Sequence, residues 1–228
     1  MPEGLEVFIL SKAINICLHS DTASYARGKQ LFLPTQEVCY SFGLHGAVNI
    51  NISTGIISKQ NHGGITGSIT ALTNEQEAIE NNNGGNGNSS SGNSVLDWMT
   101  ASVDQLHHYI MQYWQPSGKQ LGTLLLNQAS IRGIGVAWGS EILYRAGGLR
   151  PDVKACHQNV NTLATSMVAV REEFLALYDN YLMEECDKGA VVDFINNWFY
   201  NLYSVRNSHM CVCKKGTPVK SGGRTWWC

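Results

Sequence analysis

Long apolar runs are missing from this 228-residue chain, and nothing in it approaches the roughly 18 residues that a membrane span requires. Also missing is a basic N-terminal region followed by an apolar stretch, so the start does not read as a signal peptide and an intracellular location is the expectation. Charge is scarce, at 15% of residues, and the formal net charge of −2 counts against nucleic-acid binding, which rests on lysine and arginine. Distribution works the other way. From Arg206 to Cys228 there are basic residues at 206, 214, 215, 220 and 224 and no acidic one. Seven cysteines, an odd number scattered singly except near the C-terminus, fit reduced thiols better than a disulfide framework. The run from Asn81 to Ser94 contains only Asn, Gly and Ser, cannot bury enough surface to order itself, and reads as a flexible linker.

The remainder is ordinary globular sequence, with 43% hydrophobic residues in a length that suits one large or two modest domains. Leu5, Phe8 and Ile9 share one face of a helix expected over residues 3–18. Short strands are expected over Gln30–Leu33, Glu37–Phe42, Ala47–Ile52 and Gly55–Lys59, where Pro and Gly separate alternating apolar residues. Beyond the linker the period becomes helical. Val95, Trp98, Met99, Val103, Leu106, Tyr109, Ile110 and Tyr113 outline one helix that ends at Pro116-Ser117-Gly118. A second helix begins at Leu124 and stops at Arg132-Gly133-Ile134-Gly135, and a third spans Trp138–Ala146. A long amphipathic helix runs from Gln158 to about Cys186, and Val191–Tyr203 is a further apolar segment. The expected class is α+β. It comprises an N-terminal helix with an antiparallel β-sandwich over 1–80, a linker over 81–94, a helical domain over 95–203 and a hairpin over 204–228.

Chemistry concentrates at Met1-Pro2-Glu3-Gly4-Leu5-Glu6. Removal of Met1, which the small side chain of Pro2 allows, would leave a secondary amine. An α-amino group titrates near pH ~8, well below lysine, so a useful fraction is an unprotonated nucleophile at neutral pH. Amines attack carbonyl-like carbons to give Schiff bases, and Glu3 stands next in the chain to carry protons. The plainer reading of the same residues is an acidic first turn of helix. Around Gly133 and Gly135, a helix, a tight glycine turn and a second helix form a layout in which backbone amides approach a phosphate closely.

The hexapeptide resembles the start of the Fpg/Nei family of DNA glycosylases, typically Met-Pro-Glu-Gly-Pro-Glu, with Leu5 replacing the second proline. Arg27-Gly28-Lys29 is similar to the family's Arg-Gly-Lys stretch, whose lysine reaches toward the lesion and its phosphate. Phe42-Gly43-Leu44-His45-Gly46 is similar to the turn whose apolar side chain fills the gap left by a flipped base, which implies that role for Leu44. Leu125-Leu126-Asn127-Gln128 through Gly133-Ile134-Gly135 to Ser140-Glu141-Ile142-Leu143-Tyr144-Arg145-Ala146 resembles the family's helix-two-turn-helix segment nearly residue for residue. The tail resembles its zinc-finger hairpin, with Arg224 at the place of the phosphate-contacting arginine.

The resemblance implies a bifunctional glycosylase and lyase acting on damaged DNA. Pro2 would be the nucleophile, Glu3 the proton carrier and Lys29 the assisting cation. Gly133, Gly135, Leu44 and Arg224 would lie on the DNA, with Glu6 orienting the first helix. A monomer in the nucleus or nucleoid follows.

Departures from the pattern are also plain. Val136 replaces an asparagine that bonds the DNA backbone, and valine has no side-chain donor. No Arg-Arg-Phe-Gly segment is present, and the N-terminal half is short. A four-cysteine zinc site needs a ligand pair from each arm, yet Gly216 stands where the second cysteine belongs and the chain stops at Cys228. His209, Cys211, Cys213 and Cys228 are the candidate substitute ligands for zinc, against a metal-free hairpin held by strand pairing and tryptophan packing. A sequence cut after the first cysteine of the last pair accounts equally for the ending. Two competing readings stand beside the enzyme: a DNA-binding relative that has lost catalysis, and, outside nucleic acid, a helical interaction module favoured by the negative charge.

Overall fold

The computed structural model describes residues 3–42, 47–51, 53–60, 69–71, 95–184, 188–196, 219–221 and 223–226. Over these residues the chain is α+β. Helix α1, Gly4–Leu18, begins where Glu6 reaches back so that its Oε2 accepts the Glu3 N–H at 2.7 Å, half of a capping box. It ends where His19 adopts the left-handed region at φ 51 and Ser20 N–H bonds the Asn15 carbonyl at 3.0 Å. Leu5, Val7, Ile9, Leu10, Ala13 and Ile14 are all fully buried. The helix is therefore enclosed on nearly every side, not only along the stripe that Leu5, Phe8 and Ile9 outline, and Phe8 is the half-exposed member of that stripe.

Strands β1 (Tyr25–Arg27), β2 (Gln30–Leu33), β3 (Val38–Ser41) and β6 (Ile69–Ala71) form an antiparallel sheet in that order. Its registers pair Ala26 with Leu31, Phe32 with Cys39 and Cys39 with Thr70. Strands β4 (Ala47–Ile50) and β5 (Ile57–Gln60) make a separate antiparallel pair. The Tyr40 hydroxyl donates to the Ile57 carbonyl at 2.9 Å and ties the two together. The strands expected from sequence are thus present: β2 has the expected bounds, β3 and β4 are shorter than expected, and β5 starts two residues later and ends one later.

The helical region departs further from expectation. No helix runs from Val95. Leu96–Asp97 is a short strand, β7, paired in parallel with β8, Ile131–Arg132. Helix α2, Val103–Tyr109, starts only after Ser102, which forms a capping box with Gln105. It continues through a π-helical turn over Ile110–Trp114 and a last turn, Gln115–Ser117, that Gly118 ends at φ 62. The next helix, α3, is Leu121–Leu125, earlier and shorter than expected. The chain then turns so that Ile131 N–H bonds Asn127 O at 3.1 Å and the segment enters β8. Helix α4, Val136–Arg145, begins two residues before Trp138. Helices α5, His157–Glu184, and α6, Lys188–Asn196, follow. Residues 197–203 of the last expected apolar segment lie outside the described residues.

One buried cluster runs from Leu5 through Leu31 and Val48 to Trp98, Trp138, Phe174 and Trp226. Segments from both sides of residues 81–94, which themselves lie outside the described residues, therefore share a core. Lys12 on α1 bonds Asp179 on α5 at 2.7 Å. Buried Arg171 on α5 donates to the carbonyls of Trp98 and Ala101, each at 2.7 Å, and so fixes the loop between β7 and α2. At the far end of the chain, β9 (Val219–Ser221) and β10 (Arg224–Trp226) pair as an antiparallel hairpin. Ser221 Oγ donates to the Pro151 carbonyl at 3.0 Å, and Trp226, 2% exposed, lies on α4 against Gly139.

Candidate functional site

Four segments distant in sequence meet at the start of α1. They are the residues around Glu3, the Gly28-Lys29 turn between β1 and β2, the end of β7, and the glycine turn between β8 and α4. Gly4 N–H bonds the Gly133 carbonyl at 2.8 Å. Gly28 N–H bonds Asp97 Oδ2 at 3.0 Å, and Asp97 Oδ1 accepts Met99 N–H at 2.9 Å. Gln128 closes the glycine turn from inside, its Nε2 donating to Ile134 O at 2.7 Å while its Oε1 accepts Gly133 N–H at 3.0 Å.

Approach here is limited by backbone contact. A Cβ on Gly4 would stand 2.5 Å from the Gly133 Cα, and Gly133 itself has φ 94, a conformation that favours glycine. At Gly135 a Cβ would overlap the Glu3 carboxyl group.

Glu3 is the centre of this arrangement. Only 3% exposed, it places its carboxylate on the N-terminus of α4. Oε2 accepts Gly135 N–H at 3.1 Å and Trp138 N–H at 3.2 Å, and Oε1 accepts Ala137 N–H at 3.2 Å. Helix α4 has no side-chain cap of its own at Gly135. A carboxylate 132 residues earlier satisfies its orphan donors and sits at the positive end of the helix dipole. Sequence reasoning assigns this helix N-terminus to an external phosphate; the anion that occupies it is Glu3. Two carboxylate oxygens offer about four lone-pair positions. The three donors of α4 and the Glu6 N–H of the capping box account for all four, so the carboxylate is fully committed to backbone.

Lys29 brings positive charge to this seat. Lys29 is half-buried, and burial is the main force holding its ammonium below its ordinary value. Glu3 and then Glu6 pull it back up, and Arg224 pushes it down further. Of the sequence-predicted residues, Glu3, Glu6, Gly133 and Gly135 are joined by contact and Lys29 by its charge, while Arg224, on the hairpin that Trp226 anchors, is near enough to act on Lys29. Pro2 and Leu44 lie outside the described residues, as do His209, Cys211, Cys213 and Cys228. Among the described residues no group of three or more His, Cys, Asp or Glu is placed to hold a metal, and no helix is long and apolar enough to cross a membrane.

Four participants were not singled out from sequence: Asp97, Gln128, Arg27 and Arg132. A signal existed for Arg132, which directly precedes the Gly-Ile-Gly turn, and for Arg27, which opens the Arg-Gly-Lys stretch. Nothing local marks Asp97, whose two acceptors serve backbone donors on either side of the site.

No protein-family model and no curated protein matches the chain.

Proposed function

We propose that the chain is a bifunctional DNA glycosylase and lyase that removes oxidised bases through a Schiff base on Pro2. The observation that carries this reading is the seating of Glu3 on the α4 N-terminus, beside a group of cations. Pro2 is bonded directly to Glu3, so an anchored carboxylate and an amine nucleophile share one locus, and Lys29 and Arg224 supply positive charge to the same place. Together with the resemblance of the hexapeptide, the glycine-turn helical pair and the Arg224 hairpin to the Fpg/Nei family, this arrangement suits attack on a sugar between phosphates.

In the proposed reaction the damaged nucleotide leaves the base stack, as an enzyme acting on a base inside a duplex requires. The lone pair of the Pro2 nitrogen forms a bond to C1′, and the base departs with the electrons of the glycosidic bond. Opening of the sugar ring gives the iminium, with Glu3 moving protons once it gives up one of its backbone donors. Loss of a proton from C2′ then expels the 3′ phosphate and cuts the strand. Lys29 and Arg224 hold the flanking phosphates as charge-assisted donors. The helix-two-turn-helix and β-sandwich labels belong to this reading, as do a monomeric state and a nuclear or nucleoid location. His209, Cys211, Cys213 and Cys228 would hold zinc as a structural ion, which a metal assay on the purified chain counts; no step above depends on it.

The commitment of Glu3 to four backbone donors favours a second reading, a DNA-binding relative with impaired catalysis. Borohydride trapping separates the two. Incubation with abasic-site DNA and reductant is expected to give a covalent complex, abolished by Pro2→Thr or by retention of Met1. Intact DNA binding without any adduct would leave the second reading in its place. Binding that does not weaken with rising salt would exclude both, because only phosphate contacts release counterions.

A further inference from the structure

Arginines among the described residues fall into two groups. Arg145 is paired with Glu141 and Glu173, Arg150 with Asp152, and Arg171 with Glu172 and two carbonyls. Arg27 and Arg132 make no salt bridge or side-chain hydrogen bond with any described residue, although both are only half-exposed. They are close enough for the charge of Arg27 to act on Arg132, whose guanidinium is held below its ordinary value first by burial and next by Arg27. Asp97 is the carboxylate that works against this, and its oxygens already accept Gly28 N–H and Met99 N–H. The chain fixes the two arginines together: a Cβ on Gly28, the neighbour of Arg27, would lie 3.1 Å from the Cβ of Arg132. Two like charges held side by side in a partly desolvated place, sharing one occupied carboxylate, are unfavourable in the absence of an anion.

We propose that Arg27 and Arg132 form a phosphodiester clasp of their own, one that grips the DNA backbone beyond the phosphates assigned to Lys29 and Arg224. A guanidinium matches a phosphate with two parallel hydrogen bonds, and a pair of them matches it from two sides. Arg27 lies two residues from Lys29 across a tight turn, so the clasp continues the same basic surface. The proposal rests on the DNA reading above.

The test is the salt dependence of binding to a duplex carrying a tetrahydrofuran abasic analogue, followed by fluorescence anisotropy with the full chain. Each phosphate contact contributes about −0.9 to the slope of log K against log salt. The Arg27→Gln/Arg132→Gln double variant is expected to flatten the slope by about 1 and to weaken binding several-fold at low salt, with an unchanged or raised melting temperature. Arg150→Gln, on an exposed arginine paired with Asp152, is expected to leave the slope unchanged. A wild-type slope in the double variant overturns the clasp while leaving the DNA reading intact. An equal change from Arg150→Gln also overturns it, since the effect is then one of net charge. A wild-type chain that does not bind the duplex overturns the DNA reading and the clasp together.

Discussion

The two ends of α4 treat charge in opposite ways. At the C-terminal end, Arg145 stands in the last turn, where a cation complements the helix dipole, and both Glu141 and Glu173 bond it. Glu141 is 6% exposed and has its countercharge at hydrogen-bond distance. At the N-terminal end the one carboxylate on the helix, Glu3, is satisfied by backbone, and Lys29, whose charge it acts on, makes no salt bridge with a described residue; nor do Arg27 and Arg132, which flank the adjoining glycine turns. The first arrangement is what stability alone produces. The second carries desolvation and self-repulsion that the nearby carboxylates Glu3, Glu6 and Asp97 offset only in part, which is the pattern expected where a fold holds charge ready for something outside itself.

Disturbing the N-terminal seat itself is expected to have the largest effect. Gly4→Ala directs a methyl group at the Gly133 backbone, where no side chain can swing away. A destabilisation of about 3 kcal/mol, at the upper end of the usual overpacking range, is expected in urea unfolding. A loss below about 1 kcal/mol would show that the two segments can part, and the close seat would then be no constraint on Glu3.

Arg145→Met tests the opposite end. It leaves Glu141 buried without its main partner, and a penalty of about 1–2 kcal/mol is expected after allowing for the 31% exposure of the arginine side chain. DNA binding should not change. A salt slope that flattened in this variant would erase the distinction between the two ends.

Much of this comparison was legible in the sequence, but unevenly. The hexapeptide and the Gly-Ile-Gly turn were visible because each is contiguous and rich in residues with few alternative uses. Helices α1, α4 and α5 followed from apolar spacing. Residues 95–101 did not, because their apolar spacing also fits a helix and the parallel pairing of Leu96 and Asp97 with Ile131 and Arg132 overrides it. The capping box of Ser102 and Gln105 marks the true helix start locally. What no window of sequence contains is Glu3 capping α4, since the signal for that cap is the absence of a side-chain cap at Gly135 and its source is 132 residues away. Contacts of that kind exist only once the core brings their segments together.

Lys29→Met is expected to give the smallest effect on stability, and one of the opposite sign to Arg145→Met. The folded-state value of Lys29 is depressed from its ordinary 10.5, chiefly by burial, so the charged form is disfavoured by folding. Below the folded value the lysine is charged in both states and its cost is fully present. As pH rises through the folded value toward 10.5, the folded protein releases this proton first and the cost disappears. Methionine, which keeps the apolar stem and removes the charge, should therefore raise the melting temperature by about 1–2 °C at neutral pH, and the gain should vanish by the time Lys29 is neutral in both states. The same variant should lose adduct in borohydride trapping. Lower stability at neutral pH would mean that Lys29 is held by an internal partner after all, and the N-terminal end of α4 would then be as self-sufficient as the C-terminal one.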